Sequence, residues 1–83
     1  MPSSKVTRDD LGGEGKSLVD LMAESGVASS KGDARRSIEG GGVYVNNVRV
    51  EDTSRAVTMS DTIEGRFLLL RKGKKQYHLV AVG

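Results

Sequence analysis

A short basic helix followed by a tight hairpin restricts the fold more than any other feature of this sequence. Residues 30–38 are Ser-Lys-Gly-Asp-Ala-Arg-Arg-Ser-Ile, and Gly40 to Gly42 separate them from Val-Tyr-Val-Asn-Asn-Val-Arg-Val at residues 43–50. Ser30 is a favourable helix N-cap and glycines readily end a helix. Asn46-Asn47 suits a two-residue turn because asparagine tolerates positive φ. The segment therefore predicts a helix beside a β-hairpin.

The hairpin turn fixes which side chains share a face of the sheet. It implies three cross-strand pairs: Val45 with Val48, Tyr44 with Arg49, and Val43 with Val50. The four valines are predicted to share the core face. Tyr44 and Arg49 then lie opposite each other on the other face, where a ring and a guanidinium can stack. We interpret this pair as a base-stacking platform; the alternative is that it only covers the sheet.

Helical geometry separates the charged and apolar side chains of the basic helix. At 100° per residue, Ala34 and Ile38 lie on the apolar side, Lys31 and Arg35 flank it, and Arg36 points away from the core. An earlier helix is predicted over residues 17–25 from apolar positions spaced i, i+3 and i+4, with Ser17 and Asp20 as a capping pair.

A second hairpin is predicted near the C-terminus, after an acidic connector at residues 51–64 whose positions 58–61 suggest one helical turn. The predicted strands are residues 66–71 and 76–82. Their predicted pairs are Leu70 with Tyr77, Leu68 with Leu79, and Phe67 with Val80. The turn concentrates four cations: Arg71, Lys72, Lys74 and Lys75. An alternative is that these side chains are merely solvated and protect strand edges from pairing.

Composition excludes several classes of protein. With 83 residues and a net charge of +2, the chain can form one domain with a modest core. It has no cysteine and one histidine, so we expect no disulfide, no metal, no cofactor and no catalytic site. His78, the one conceivable general base, is predicted to pack within a strand. No apolar run approaches the roughly 18 residues of a membrane helix, so we expect no membrane contact and a cytoplasmic location.

The charges are distributed unevenly. Residues 51–64 sum to −3, residues 26–50 to +2, and residues 65–83 to +5 with no acidic residue. Residues 1–16 are predicted to be a flexible or edge lead-in to a domain at residues 17–83, with a short strand around Val6 to Arg8 and Met1 to Ser4 as an expression leader. Gly-Lys-Ser at residues 15–17 suggests a phosphate loop, but Asp10 stands where that motif needs glycine.

Several of these segments resemble the alpha-L RNA-binding motif, or S-four-type domain, and more closely the C-terminal domain of bacterial-type tyrosyl-tRNA synthetase. The resemblance runs from about Gly15 to Val82 and is carried by residues 17–22, 30–36, 43–47, 64–67 and 71–75. It implies an α+β fold of two helices on a mostly antiparallel sheet of four to five strands. Asn47 departs from the family, many members of which have glycine there.

The resemblance also implies a tRNA-binding appendage without chemistry of its own. It would hold the long variable arm and anticodon stem of tRNA-Tyr, as a monomer when isolated and within a homodimeric parent ligase. The predicted RNA-binding residues are Lys31, Arg35, Arg36, Tyr44, Arg49, Arg71, Lys72, Lys74 and Lys75. Two alternatives stay open: the same fold in a ribosome-associated factor or pseudouridine synthase, and a protein-interaction module.

Overall fold

A five-stranded mixed sheet forms one layer of the domain in the computed structural model, which describes residues 3–83. Its strands, in spatial order, are β1 (Ser3–Val6), β7 (Gln76–Val82), β6 (Phe67–Lys72), β3 (Val43–Val45) and β4 (Val48–Val50). The β1–β7 pair is parallel and the other three pairs are antiparallel. A separate two-stranded sheet joins β2 (Lys16–Ser17) to β5 (Ala56–Val57).

Three α-helices and one 3₁₀ turn complete the fold of residues 3–83. They are α1 (Arg8–Leu11), α2 (Leu18–Ser25), α3 (Lys31–Glu39) and the 3₁₀ turn Met59–Asp61. The buried side chains of the helices and of one sheet face form a single core cluster. The predicted α+β class is therefore confirmed, with α1 as an additional short helix. Ser3 and Ser4, predicted as part of a leader, belong to β1; Met1 and Pro2 lie outside the described residues.

The start of α2 differs from the prediction. Ser17 occupies the N-cap position but makes no capping hydrogen bond with its side chain. The Leu18 N–H instead donates to the Arg55 carbonyl at 2.9 Å, and Asp20 pairs with Lys31. The connector thus accepts the first backbone N–H of the helix, and the prediction of a Ser17–Asp20 capping pair was wrong. Gly26 ends the helix at φ of 83°, as predicted.

The β3–β4 hairpin has the predicted register but not the predicted burial. All three cross-strand pairs are present, and both turn asparagines have positive φ. Val43, Val45 and Val50 are buried, whereas Val48 is 67% exposed. Val48 lies on the core face of an edge strand, beyond the reach of the helices. The prediction that four valines share the core is therefore wrong for Val48.

The β6–β7 hairpin is shifted by one residue from the prediction. Leu70 pairs with His78, Leu68 with Val80 and Phe67 with Ala81. A three-residue loop, residues 73–75, joins the strands, whereas the predicted pairing implied a two-residue turn. Because alternate side chains point to opposite faces, the shift brings His78 to the buried face and Tyr77 to the other. His78 is 7% exposed, and its Nε2 lies 2.7 Å from Ser4 Oγ.

Candidate nucleic-acid interface

The basic helix α3 is fixed at its N-terminus by a serine cap. Ser30 Oγ accepts the Asp33 N–H at 3.1 Å, as the sequence predicted. Asp33 Oδ2 in turn accepts the Ser29 N–H at 3.0 Å and the Lys72 ammonium at 2.8 Å. These partners, Lys72 first, lower the pKa of the Asp33 carboxyl. One carboxylate therefore connects the start of the helix to the end of β6.

A backbone hydrogen bond connects the end of α3 to the tip of the β6–β7 hairpin. The Gly73 N–H donates to the Gly42 carbonyl at 2.7 Å. A shallow groove of about 300 Å³ lies beside this hydrogen bond. The groove is lined by Arg36, Ser37, Gly40, Gly42, Lys72 and Gly73. Cations that lie 36 positions apart in the sequence, Arg36 and Lys72, thus share one depression.

On the outer sheet face, one tyrosine ring lies between two guanidinium groups. The Arg71 guanidinium carbon is 3.7 Å from the centroid of the Tyr44 ring, and that of Arg49 is 5.8 Å away. Arg71 also lies 6.0 Å from the Tyr77 ring. Interaction with Arg49, and then with Arg71, lowers the pKa of the Tyr44 hydroxyl. Arg71 Nε is buried and has no hydrogen-bond partner among residues 3–83, so the close contact with the Tyr44 ring is the main interaction observed for this part of the side chain.

The nine predicted residues divide between the two layers of the domain. The helix layer carries Lys31, Arg35 and Arg36 on α3, while Tyr44, Arg49 and Arg71 lie on the opposite face of the sheet. Lys72 ends β6, and Lys74 and Lys75 are exposed in the loop that follows. The turn at residues 40–42 lies between the layers. Arg36 and Lys72 flank it on the helix side. On the sheet side, the Arg49 side chain lies 3.8 Å from a Cβ built on Gly41.

Lys31 stands apart from this arrangement. Its ammonium pairs with Asp20 at 3.0 Å on the side of α3 that faces α2. By contrast, five of the predicted cations form no ion pair within residues 3–83: Arg35, Arg36, Arg71, Lys74 and Lys75. All of these except the half-buried Arg71 are exposed and remain available to an anionic ligand.

Sequence reasoning missed Tyr77 as a member of the outer-face cluster. The signal was present in the hairpin register, because the three-residue loop places Tyr77 directly opposite Arg71. It also missed Asp33 as the partner of Lys72, a contact between residues 39 positions apart. No periodicity indicates such a contact.

Comparison with known proteins identifies the family. Residues 1–80 match the family described as Tyrosine--tRNA ligase SYY-like C-terminal domain. The chain belongs to this family of tyrosine–tRNA ligase C-terminal domains. It is 50% identical over 80 residues to the tyrosine–tRNA ligase of Roseiflexus castenholzii and 48% identical over 82 residues to that of Opitutus terrae. These alignments cover 96% and 99% of this chain and 19% of each relative.

The ligase relatives extend well beyond this domain, since the chain spans about a fifth of their length. Within residues 3–83 there is no group of three His, Cys, Asp or Glu side chains that could hold a metal ion. In the same described part of the chain, no helix is long and apolar enough to cross a membrane.

Proposed function

We propose that this domain binds tRNA, and specifically tRNA-Tyr at its long variable arm and anticodon stem, as an appendage of a tyrosine–tRNA ligase. The basic band, defined as Arg35, Arg36, Arg49, Arg71, Lys72, Lys74 and Lys75, contacts the phosphate backbone. Attachment of tyrosine to the tRNA is then the work of the remainder of the full-length protein. The domain adds a second contact area, which raises the effective concentration of tRNA at the catalytic body.

The Gly42–Gly73 hydrogen bond is the observation that carries the proposal. It presses the loop holding Lys74 and Lys75 against the helix end that holds Arg36. Two basic segments that are separate in sequence are thereby adjacent on a rigid support. Cations fixed at neighbouring positions suit a phosphate track, whose contacts position the protein without reading base sequence.

The family membership supports tRNA as the ligand, and the surface suits recognition by shape. Double-stranded RNA presents a major groove too narrow for side chains, so its phosphates and 2′-hydroxyls carry most contacts. The exposed arginines of α3 can reach such a backbone, and the exposed Arg49 guanidinium beside the Tyr44 ring offers an additional planar surface for an unstacked base.

The test is a titration of a tRNA-Tyr transcript with the double variant Arg35→Ala/Arg36→Ala at several salt concentrations. Both side chains are exposed, so the melting temperature should stay unchanged. Affinity should fall about tenfold or more. The slope of log K against log salt should decrease in magnitude by up to about 2, because each lost phosphate contact removes roughly 0.9.

A matched control removes two cations from elsewhere on the domain. Lys5 lies on β1, at the sheet edge opposite β4 and at the end of β7 away from the basic loop, and Arg8 follows it on α1. Lys5→Ala/Arg8→Ala has the same net charge as the test variant and should bind within about twofold of the parent domain. Equal losses in both double variants, or undiminished binding by the first, would contradict the proposed surface. Binding without salt dependence would instead favour a protein-interaction module.

A further inference from the structure

A cleft of about 480 Å³ opens beneath the β3–β4 hairpin, between it and the connector that contains the 3₁₀ turn. Its apolar floor is formed by Val45, Val48 and Val50. Val48 is 67% exposed although it lies on the core face of its strand, because nothing within residues 3–83 covers it there. The volume falls within the roughly 300 to 1,000 Å³ of small-ligand sites.

The walls of the cleft are rigid and polar. Arg55 donates to Asp61 Oδ1 at 2.6 Å and to the Ala56 carbonyl. The Asn46 side-chain amide donates to the Asp61 carbonyl through its Nδ2, and its Oδ1 accepts the Leu69 N–H at 2.8 Å. These contacts fasten the connector to the hairpin and to β6. The cleft is therefore built into the fold rather than formed by a loose loop.

The lining of the cleft is net acidic, which favours amino groups inside it, while the cation Arg49 lies where the cleft meets the outer sheet face. Three carboxylates and two guanidiniums line it: Glu51, Asp52, Asp61, Arg49 and Arg55. Asp61 is occupied by Arg55 and Asp52 by Ser54. Glu51 is largely exposed, and its Oε1 lies 3.8 Å from the Arg49 guanidinium, too far for a hydrogen bond. Its oxygens are thus open to a donor.

The cleft is continuous with the basic band through Arg49, which lines the cleft and also lies over the Tyr44 ring. A phosphate held at Arg49 would bring its attached nucleotide to the rim. An unpaired base could then place its apolar surface on Val48 and its edge against Glu51. Unstacked bases are the usual targets of specific RNA recognition, and carboxylates accept hydrogen bonds from exocyclic amino groups.

We propose that this cleft receives one unpaired nucleobase with an exocyclic amino group, that is guanine, cytosine or adenine, from the bound RNA. The inference rests on the proposed function, since the RNA must first be held at the basic band. Uracil, which lacks an amino group, should be the poorest occupant. The cleft would supply the base-dependent part of recognition, and the basic band the part that depends on shape.

The test compares two substitutions at Val48 in the 83-residue domain. Val48→Trp fills the cleft, and Val48→Thr preserves its size. Because the side chain is exposed, both variants should melt within a few degrees of the parent. Filling the cleft should weaken binding of a tRNA-Tyr transcript about tenfold, the order expected for one lost base contact, while Val48→Thr should stay within about twofold.

Methyl NMR identifies the occupant directly. The methyl signals of labelled Val45, Val48 and Val50 should shift when the transcript is added. They should also shift when GMP, CMP or AMP is added at millimolar concentration, and by more than when UMP is added. Binding by Val48→Trp equal to that of the parent, or shifts that are as large with UMP, would overturn the inference. If Arg35→Ala/Arg36→Ala still loses affinity in that case, the proposed function stands without the cleft. If the unsubstituted domain binds no tRNA, the proposed function and the cleft inference are both wrong.

Discussion

The connector approaches the backbone closely at Gly15, and substitution of this glycine tests that part of the fold. Gly15 has φ of 85°, and a Cβ built there would lie 2.3 Å from the Val57 carbonyl oxygen and 2.8 Å from the Thr58 methyl carbon. Ordinary contact begins at 3.4 Å, so the Val57 backbone would have to move by about 1 Å. Val57 is fully buried and pairs with Lys16 across β2 and β5.

Gly13→Ala is the matched control for Gly15→Ala. Gly13 also has positive φ, at 61°, but nothing lies within 4 Å of a Cβ built there. Left-handed strain of about 1 to 2 kcal/mol applies to both variants and is only partly offset by the lower entropy of the unfolded alanine chain. Gly13→Ala should therefore lower the free energy of unfolding by about 1 kcal/mol or less.

Gly15→Ala should lower the free energy of unfolding by about 2 to 3 kcal/mol, since the displaced strand also weakens about two backbone hydrogen bonds. For a domain of this size, that corresponds to a fall in melting temperature of about 10 to 20 °C. Circular dichroism melts and urea titrations measure both quantities. Equal stability of the two alanine variants would refute the steric argument and the close approach of Gly15 to β5.

Two further predictions concern the buried face of the sheet. Val45 and Val48 are cross-strand partners with 4% and 67% exposure, so Val45→Asp should unfold the domain by burying an unpaired charge, whereas Val48→Asp should leave the circular dichroism spectrum native. Burial lowers the pKa of His78. The folded domain therefore binds fewer protons than the unfolded chain as the pH falls. The contribution of neutral His78 to stability is complete above the unfolded pKa of about 6.5 and is lost as the pH falls toward the lowered pKa of the folded domain. Urea titrations between pH 7.5 and 5.5 should show this decline, and His78→Gln should flatten it; an unchanged slope in that variant would exclude His78 as its source.

Local signals in the sequence were sufficient for α2, α3 and the first hairpin. The Ser30 cap, the Gly26 stop and the two asparagines of the turn each act within four residues, and local rules describe such interactions well. The predicted single turn in the connector is likewise present as Met59–Asp61.

Non-local contacts account for what the sequence did not predict. Strand β1 pairs in parallel with β7, more than 70 positions away. The short helix α1 is the exception, because Thr7 and Asp10 form a local capping box, and the prediction of a strand around Val6 to Arg8 was wrong: the strand ends at Val6 and Arg8 begins the helix.

The predicted register of the second hairpin was wrong by one residue because a two-residue loop keeps Leu68 and Leu70 opposite apolar partners. The observed three-residue loop still keeps Leu68 opposite Val80 and Leu69 opposite Leu79, while it places Leu70 opposite His78. Hydrophobic pattern alone does not fix register when both faces of a strand carry apolar side chains.

The same parity argument decides the composition of the candidate interface. Arg71 pairs with Tyr44 across β3 and β6, so its guanidinium lies on the outer face beside that ring, and the register of β7 adds Tyr77 opposite it. Lys72, the next residue, lies on the helix side, where it meets Asp33. Consecutive cations at the end of β6 therefore serve opposite layers. The basic band bends around the end of the sheet instead of forming a flat patch, and a curved track of this kind is suited to two backbone segments of a folded RNA rather than to one straight strand. An RNA with a helical junction should for that reason bind more tightly than a duplex of equal length, and equal affinity for the two would show that only one side of the band is used.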